Sequence, residues 1–88
     1  MLSTEVTVRN RTGLHARPAA TFVQEARRFQ SAVTVKKDGR TADAKSILAV
    51  LALGVNQGAR IELVADGPDE EEALKTLTSL IESGFGEE

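Results

Sequence analysis

Along the first eight residues, "MLSTEVTV", apolar side chains fall at Leu2, Val6 and Val8 with polar residues between them. This period of two predicts a half-buried strand over 2–8. The period then changes. Ala19, Phe22, Val23, Ala26 and Phe29 recur three and four apart, which predicts an amphipathic helix over 16–29. Alternation returns at Val33 and Val35 in "AVTVK", and the "KDGR" that follows places Asp-Gly between two extended runs, a strong hairpin signal. The return strand is expected over 40–43. Ser46 precedes "ILAVLAL" and Gly54 ends it. Serine is a favoured N-cap and glycine a favoured residue just past a helix end, so 47–53 reads as a short helix. "RIELVA" alternates again over 60–65, with Ile61, Leu63 and Ala65 on one face. After "DGPD", Asp69 is the expected cap of a last helix whose stripe is Ala73, Leu74, Leu77, Leu80 and Ile81. Glu70, Glu71 and Glu72 suit the positive end of that helix. Gly84 stops it, and residues 85–88, "FGEE", read as a frayed tail.

The order is strand, helix, strand, strand, helix, strand, helix. Each strand has one apolar face, which predicts a four-stranded antiparallel sheet left open on one side. Three helices cover the other side, giving a two-layer α+β fold. A chain of 88 residues is expected to form one domain, 1–88. Its core is aliphatic, since Phe22, Phe29 and Phe85 are the only aromatics. The absence of cysteine excludes disulfides and thiolate metal ligation. No stretch approaches the roughly 20 apolar residues of a membrane span, and the first residues lack a basic region followed by an apolar run. The expectation is a soluble, cytoplasmic, monomeric domain with no metal and no cofactor.

The net charge of −2 conceals a segregation. Arg9, Arg11, Arg17, Arg27 and Arg28 stand against Glu5 and Glu25 in residues 1–30, whereas the eight acids of 66–88 (Asp66, Asp69, Glu70, Glu71, Glu72, Glu82, Glu87 and Glu88) stand against Lys75 alone. The basic end is also the end that carries the one histidine, His15, within "TGLHARPAA". His15 falls where a loop meets the first helix. As its N-cap, it leaves the backbone N–H groups of Ala16 and Arg17 without intrahelical partners. The helix dipole adds positive potential there. Pro18 loses nothing in a first turn, and Gly13 permits close approach to the helix start. The combination is an anion cradle with an imidazole at its rim. Hydrolysis needs a second acid, base or nucleophile nearby, and none is present in sequence. A covalent phosphohistidine needs only a nucleophile, N–H donors and a guanidinium, and those parts are here. Arg17 is the candidate charge stabiliser.

"GLHARPAA", followed later by "AKSILAVLALGV", resembles the histidine-containing phosphocarrier (HPr) family of the bacterial sugar phosphotransferase system. The resemblance runs from Val6 to Leu80. It implies an open-faced β-sandwich in which His15 takes a phosphoryl group from enzyme I, itself charged by phosphoenolpyruvate. His15 then passes the group to the enzyme II A domains of sugar permeases. It also implies that Nδ1 is the phosphorylated atom and Arg17 the assisting arginine, and that the protein is a carrier rather than a turnover enzyme. Ser46 matches the serine that an ATP-dependent HPr kinase/phosphorylase modifies in many Gram-positive bacteria, where the product acts with a catabolite repressor. A plain helix N-cap accounts for Ser46 equally well, and the two readings are compatible. Leu48 and Leu51 stand where that group has methionine, and Gln24 where a basic residue is frequent. These departures bear on the repressor-coactivator role rather than on the carrier role.

The short helix is apolar nearly all round. With Val50 and Leu53 packed on the sheet, Ile47, Leu48 and Leu51 are expected to form an exposed patch. A contiguous apolar patch beside a reactive residue reads as a docking surface, with Arg17, Gln24 and Arg27 as its polar rim. The alternative within the same chemistry is a nitrogen-type HPr paralogue that reports rather than feeds transport. A ligand-sensing or RNA-binding α+β module whose arginines bind phosphates is the alternative from another class. It requires exposed aromatics on the sheet, and the three phenylalanines sit mostly at helix-core spacing, so no nucleic-acid or membrane partner is expected.

Overall fold

The structure, a computed structural model, describes residues 1–86. It contains β1 (Leu2–Thr7), α1 (Ala16–Ala26), β2 (Ala32–Lys37), β3 (Arg40–Asp43), α2 (Ile47–Leu53), β4 (Arg60–Asp66) and α3 (Glu70–Glu82). The four strands form one antiparallel sheet in the order β1-β4-β2-β3. Alternation in sequence becomes a one-sided core through the register. Ala42, Val35 and Leu63 lie opposite one another across three strands, and Val6 faces Ile61. All five side chains are buried under the helices. Thr34, Lys36 and Glu62 project from the other face, which no helix covers. The architecture is therefore the open-faced α+β sandwich that the periodicity predicts. α3 lies over β1 and β4, α2 lies over β3, and α1 touches both helices. No helix among the described residues is long and apolar enough to cross a membrane.

The hairpin between β2 and β3 follows from "DG". Asp38 at φ 52° and Gly39 at φ 79° supply the two positive φ angles of a tight two-residue turn. Ser46 accepts a hydrogen bond from the Ala49 N–H at 3.2 Å, and Gly54 closes α2 in the left-handed region at φ 71°. Val50 and Leu53 are its buried residues.

Four expectations are corrected. α1 ends at Ala26 rather than at 29: the Arg27 N–H still reaches the Val23 carbonyl four residues back, but the Arg28 and Phe29 N–H groups tighten onto Glu25 and Ala26, three residues back. Phe29 still packs on the core, from the turn rather than from the helix. Asp69 occupies the N-cap position of α3, but its side chain makes no cap bond. Its carboxylate instead accepts from the N–H groups of Gln30 and Ser31, both at 2.9 Å, and from the Ser31 hydroxyl at 2.5 Å. The Ser31 hydroxyl first, then the Gln30 N–H, hold that carboxyl below its ordinary range. Leu2, at the end of an edge strand, is 38% exposed and does not join the core. The frayed tail is only partly so: Gly84–Gly86 form a 3₁₀ turn, and Phe85 packs against the core. Glu87 and Glu88 lie outside the described residues.

Candidate functional site: a histidine at the mouth of the first helix

Two loops build this site. The chain between β1 and α1 runs beside the chain between α2 and β4, and backbone bonds tie them together. The Val8 N–H donates to the Ala59 carbonyl at 2.9 Å, the Gly58 N–H to Val8 at 2.7 Å, and the Leu14 N–H to Val55 at 2.9 Å. The Gln57 side chain adds a bond to the Arg9 carbonyl at 3.1 Å. Val8, Leu14 and Val55 are fully buried, so this seam is part of the core. Inside the first loop the Asn10 amide donates to the Gly13 carbonyl at 2.9 Å and to the Thr12 hydroxyl at 3.2 Å. Gly13, at φ 66°, lies so close to the second loop that a Cβ would stand 2.8 Å from Asn56 Cα.

His15 emerges from this seam as the N-cap of α1, with extended backbone at φ −132° and ψ 163°. Its ring does not cap the helix. The ring Nε2 instead lies 2.9 Å from Asn56 Oδ1, across 41 residues of sequence. Asn56 escapes sequence reasoning, because no periodicity or motif connects a loop amide to a histidine that far away. The backbone N–H groups of Ala16 and Arg17 make no hydrogen bond among the described residues, and Pro18 has none to offer. Ala16 itself takes a left-handed φ of 52°, unusual for alanine and located where the helix opens. Arg17 is exposed and makes no ion pair among the described residues. It borders a depression of about 250 Å³ shared with Thr12, Ala16, Pro18 and Phe85. The site thus combines one imidazole, two N–H donors at a helix N-terminus and one guanidinium, the donors and the guanidinium unpaired among the described residues. Among the described residues no group of His, Cys, Asp or Glu is placed to hold a metal ion.

A second surface adjoins it. Gln24, Arg27 and Ile47 line a shallow depression between α1 and α2. Arg27 is anchored there by a 2.9 Å bond from its Nε to the Lys45 carbonyl. Leu48 is 76% exposed and Leu51 36% exposed. Ile47 departs from expectation: it is half-buried and packs against the core, so only its outer edge joins the patch. Arg17 also departs, since it borders the depression beside Phe85 rather than the one lined by Gln24 and Arg27.

The family model described as "PTS HPr component phosphorylation site" matches residues 2–83. The chain belongs to the HPr family. Two HPr-family relatives are similar across most of their length. The HPr-like protein Crh of Bacillus subtilis is 49% identical over 82 residues, covering 93% of this chain and 96% of that one. The phosphocarrier protein HPr of Cupriavidus necator is 45% identical over 87 residues, covering 99% and 98%. The crystal structure of HPr from Thermoanaerobacter tengcongensis superposes with a TM-score of 0.98 at 53% identity, covering 100% of this chain and 99% of that one. The histidine site described above therefore lies in an HPr phosphocarrier fold.

Proposed function

We propose that this protein, one domain acting as a monomer in the cytoplasm, is a covalent phosphoryl carrier of the sugar phosphotransferase system. Its His15 takes the group from enzyme I and gives it to enzyme II A domains. The observation that carries this reading is the meeting of an imidazole, two unpaired N–H groups and Arg17 at the mouth of α1. An incoming phosphoryl group brings negative charge to the one place where the helix dipole, two backbone donors and a guanidinium all favour it. The protein supplies no second catalytic acid or base of its own in this reading, and partners complete the reaction, as suits a carrier. The experiment is incubation with enzyme I and phosphoenolpyruvate followed by intact mass: a gain of one phosphoryl group supports the reading and no gain overturns it.

Arg17 acts on transfer rather than on folding, since it is exposed and makes no ion pair or side-chain hydrogen bond among the described residues. In Arg17→Ala the melting temperature should stay within a degree or two of wild type, as is usual for surface substitutions. Phosphorylation by enzyme I should slow by about tenfold or more, equivalent to 1.4 kcal/mol of transition-state stabilisation. Rapid-quench labelling decides this, and unchanged kinetics assign Arg17 to the solvated surface alone.

Ser46 is the proposed regulatory site, open to an HPr kinase/phosphorylase, with a catabolite repressor as a further partner. A phosphate on a helix N-cap costs the fold little, but there it stands at the edge of the Leu48 and Leu51 patch that partners cover. Ser46→Asp should therefore melt like wild type while raising the KM of enzyme I for this protein. Leu48→Glu should raise the same KM by another route, since it sets a charge against an apolar partner face. If both variants match wild type in steady-state phosphorylation, α2 is not the docking surface.

A further inference from the structure

Among the described residues the His15 ring makes its hydrogen bond to the Asn56 amide, and the fold ties the two loops that carry them together. Asn56 lies in the loop between α2 and β4 that is bonded to the histidine's own loop at Val8, Leu14 and Gly58. Its backbone carbonyl accepts from the Ala59 N–H at 3.0 Å, and Gly13 lacks the side chain that would push it away. Its side chain is exposed and makes one hydrogen bond among the described residues, the 2.9 Å contact from Oδ1 to His15 Nε2. A carbonyl oxygen only accepts, so the ring must donate. The proton is then on Nε2 and the lone pair on Nδ1.

We infer that Asn56 is a positioning residue for His15: its Oδ1 fixes the Nε2–H tautomer and the ring's orientation, and it supports the positive charge that the ring acquires on phosphorylation. The inference rests on the carrier reading above for its kinetic consequence, but not for the tautomer. In the transfer step the Nδ1 lone pair forms the N–P bond. The bond from phosphorus to the donor's leaving atom breaks, and its electron pair stays with the donor. No proton moves. The ring keeps its Nε2–H and becomes an N-phosphoimidazolium cation. The bond to Asn56 Oδ1, neutral before transfer, is then charge-assisted and about twice as strong. An interaction stronger after charge develops than before it accelerates the step. The same geometry applies in reverse, when the ring leaves phosphorus for an enzyme II A domain.

The test has two arms. Long-range proton–nitrogen spectra of the unphosphorylated protein should show His15 as the Nε2–H tautomer in wild type and in Asn56→Asp, which keeps the acceptor oxygen. Asn56→Ala should show a mixture of both tautomers. In single-turnover labelling by phospho-enzyme I, Asn56→Ala should lower the maximal rate by about tenfold with little change in KM. A merely structural role would move neither reading, because the side chain is exposed and the melting temperature should be unaltered. A wild-type ring protonated on Nδ1, or an Asn56→Ala ring with the wild-type tautomer and rate, overturns the inference. If wild type accepts no phosphoryl group, the carrier reading fails, and the tautomer spectra alone decide the role of Asn56.

Discussion

In a mixture of enzyme I and phosphoenolpyruvate, the His15→Ala variant is expected to gain no mass, whereas the native protein gains one phosphoryl group. The loss should be complete rather than graded. The chain has one histidine and no cysteine, so no second imidazole or thiolate can inherit the group. Among the described residues the Ser46 hydroxyl has only the Ala49 N–H as its partner and no base beside it, and Ser31, whose hydroxyl does face the Asp69 carboxylate, is fully buried. The label on the native protein should be lost in acid and survive in base, since a phosphoramidate hydrolyses once its nitrogen is protonated. Folding should be unaffected. The ring is half-buried, does not cap α1, and makes its one bond among the described residues to an exposed amide. Ser46→Ala, treated alongside, should label like wild type and show that the group is not on the serine. Labelling of His15→Ala at the native rate would end the carrier reading.

The parts of this protein legible in the sequence are those governed by one element at a time. Alternation at Val33, Val35, Ile61, Leu63 and Ala65 marked the inner face of the sheet, and all five are buried. The three-and-four spacing from Ala19 to Ala26 marked the inner stripe of α1. Ser46 and Gly54 marked the ends of α2 because capping is local chemistry. What stayed hidden depends on segments far apart in the chain. Asp69 looks like a cap, and only the arrival of Gln30 and Ser31 some forty residues earlier in the chain takes its carboxylate elsewhere. Leu14 and Val55 are fully buried, yet each sits in a loop with no period to betray it. His15 and Arg17 were legible as chemistry because the helix start and the motif place them together. Asn56 was not, because its partnership exists only once the two loops are zipped.

That zipper makes Gly13 the position where one added methyl group should do the most harm to fold and site together. In Gly13→Ala the new Cβ runs into the Val55 carbonyl oxygen, the same oxygen that accepts the Leu14 N–H, and stands 2.8 Å from Asn56 Cα. These are backbone atoms inside a bonded seam, so no side chain can swing aside to make room. Overpacking of this kind costs about 1–3 kcal/mol, and an alanine held in the left-handed region adds about 1–2 kcal/mol. A total near 3 kcal/mol should lower the melting temperature by roughly 15 °C in a domain of this size. Relief comes only by moving the second loop outward, which carries Asn56 away from His15. Phosphoryl uptake should therefore fall in the fraction that remains folded, not merely in proportion to unfolding. Gly39→Ala is the control. Gly39 has a similar positive φ of 79°, but its Cβ meets nothing within 4 Å. It should lose only the conformational part, about 1–2 kcal/mol, and transfer normally. Calorimetry of both variants, with labelling well below their melting points, separates the two effects. If Gly13→Ala melts and labels like Gly39→Ala, the close approach of the two loops is not what holds the histidine in place.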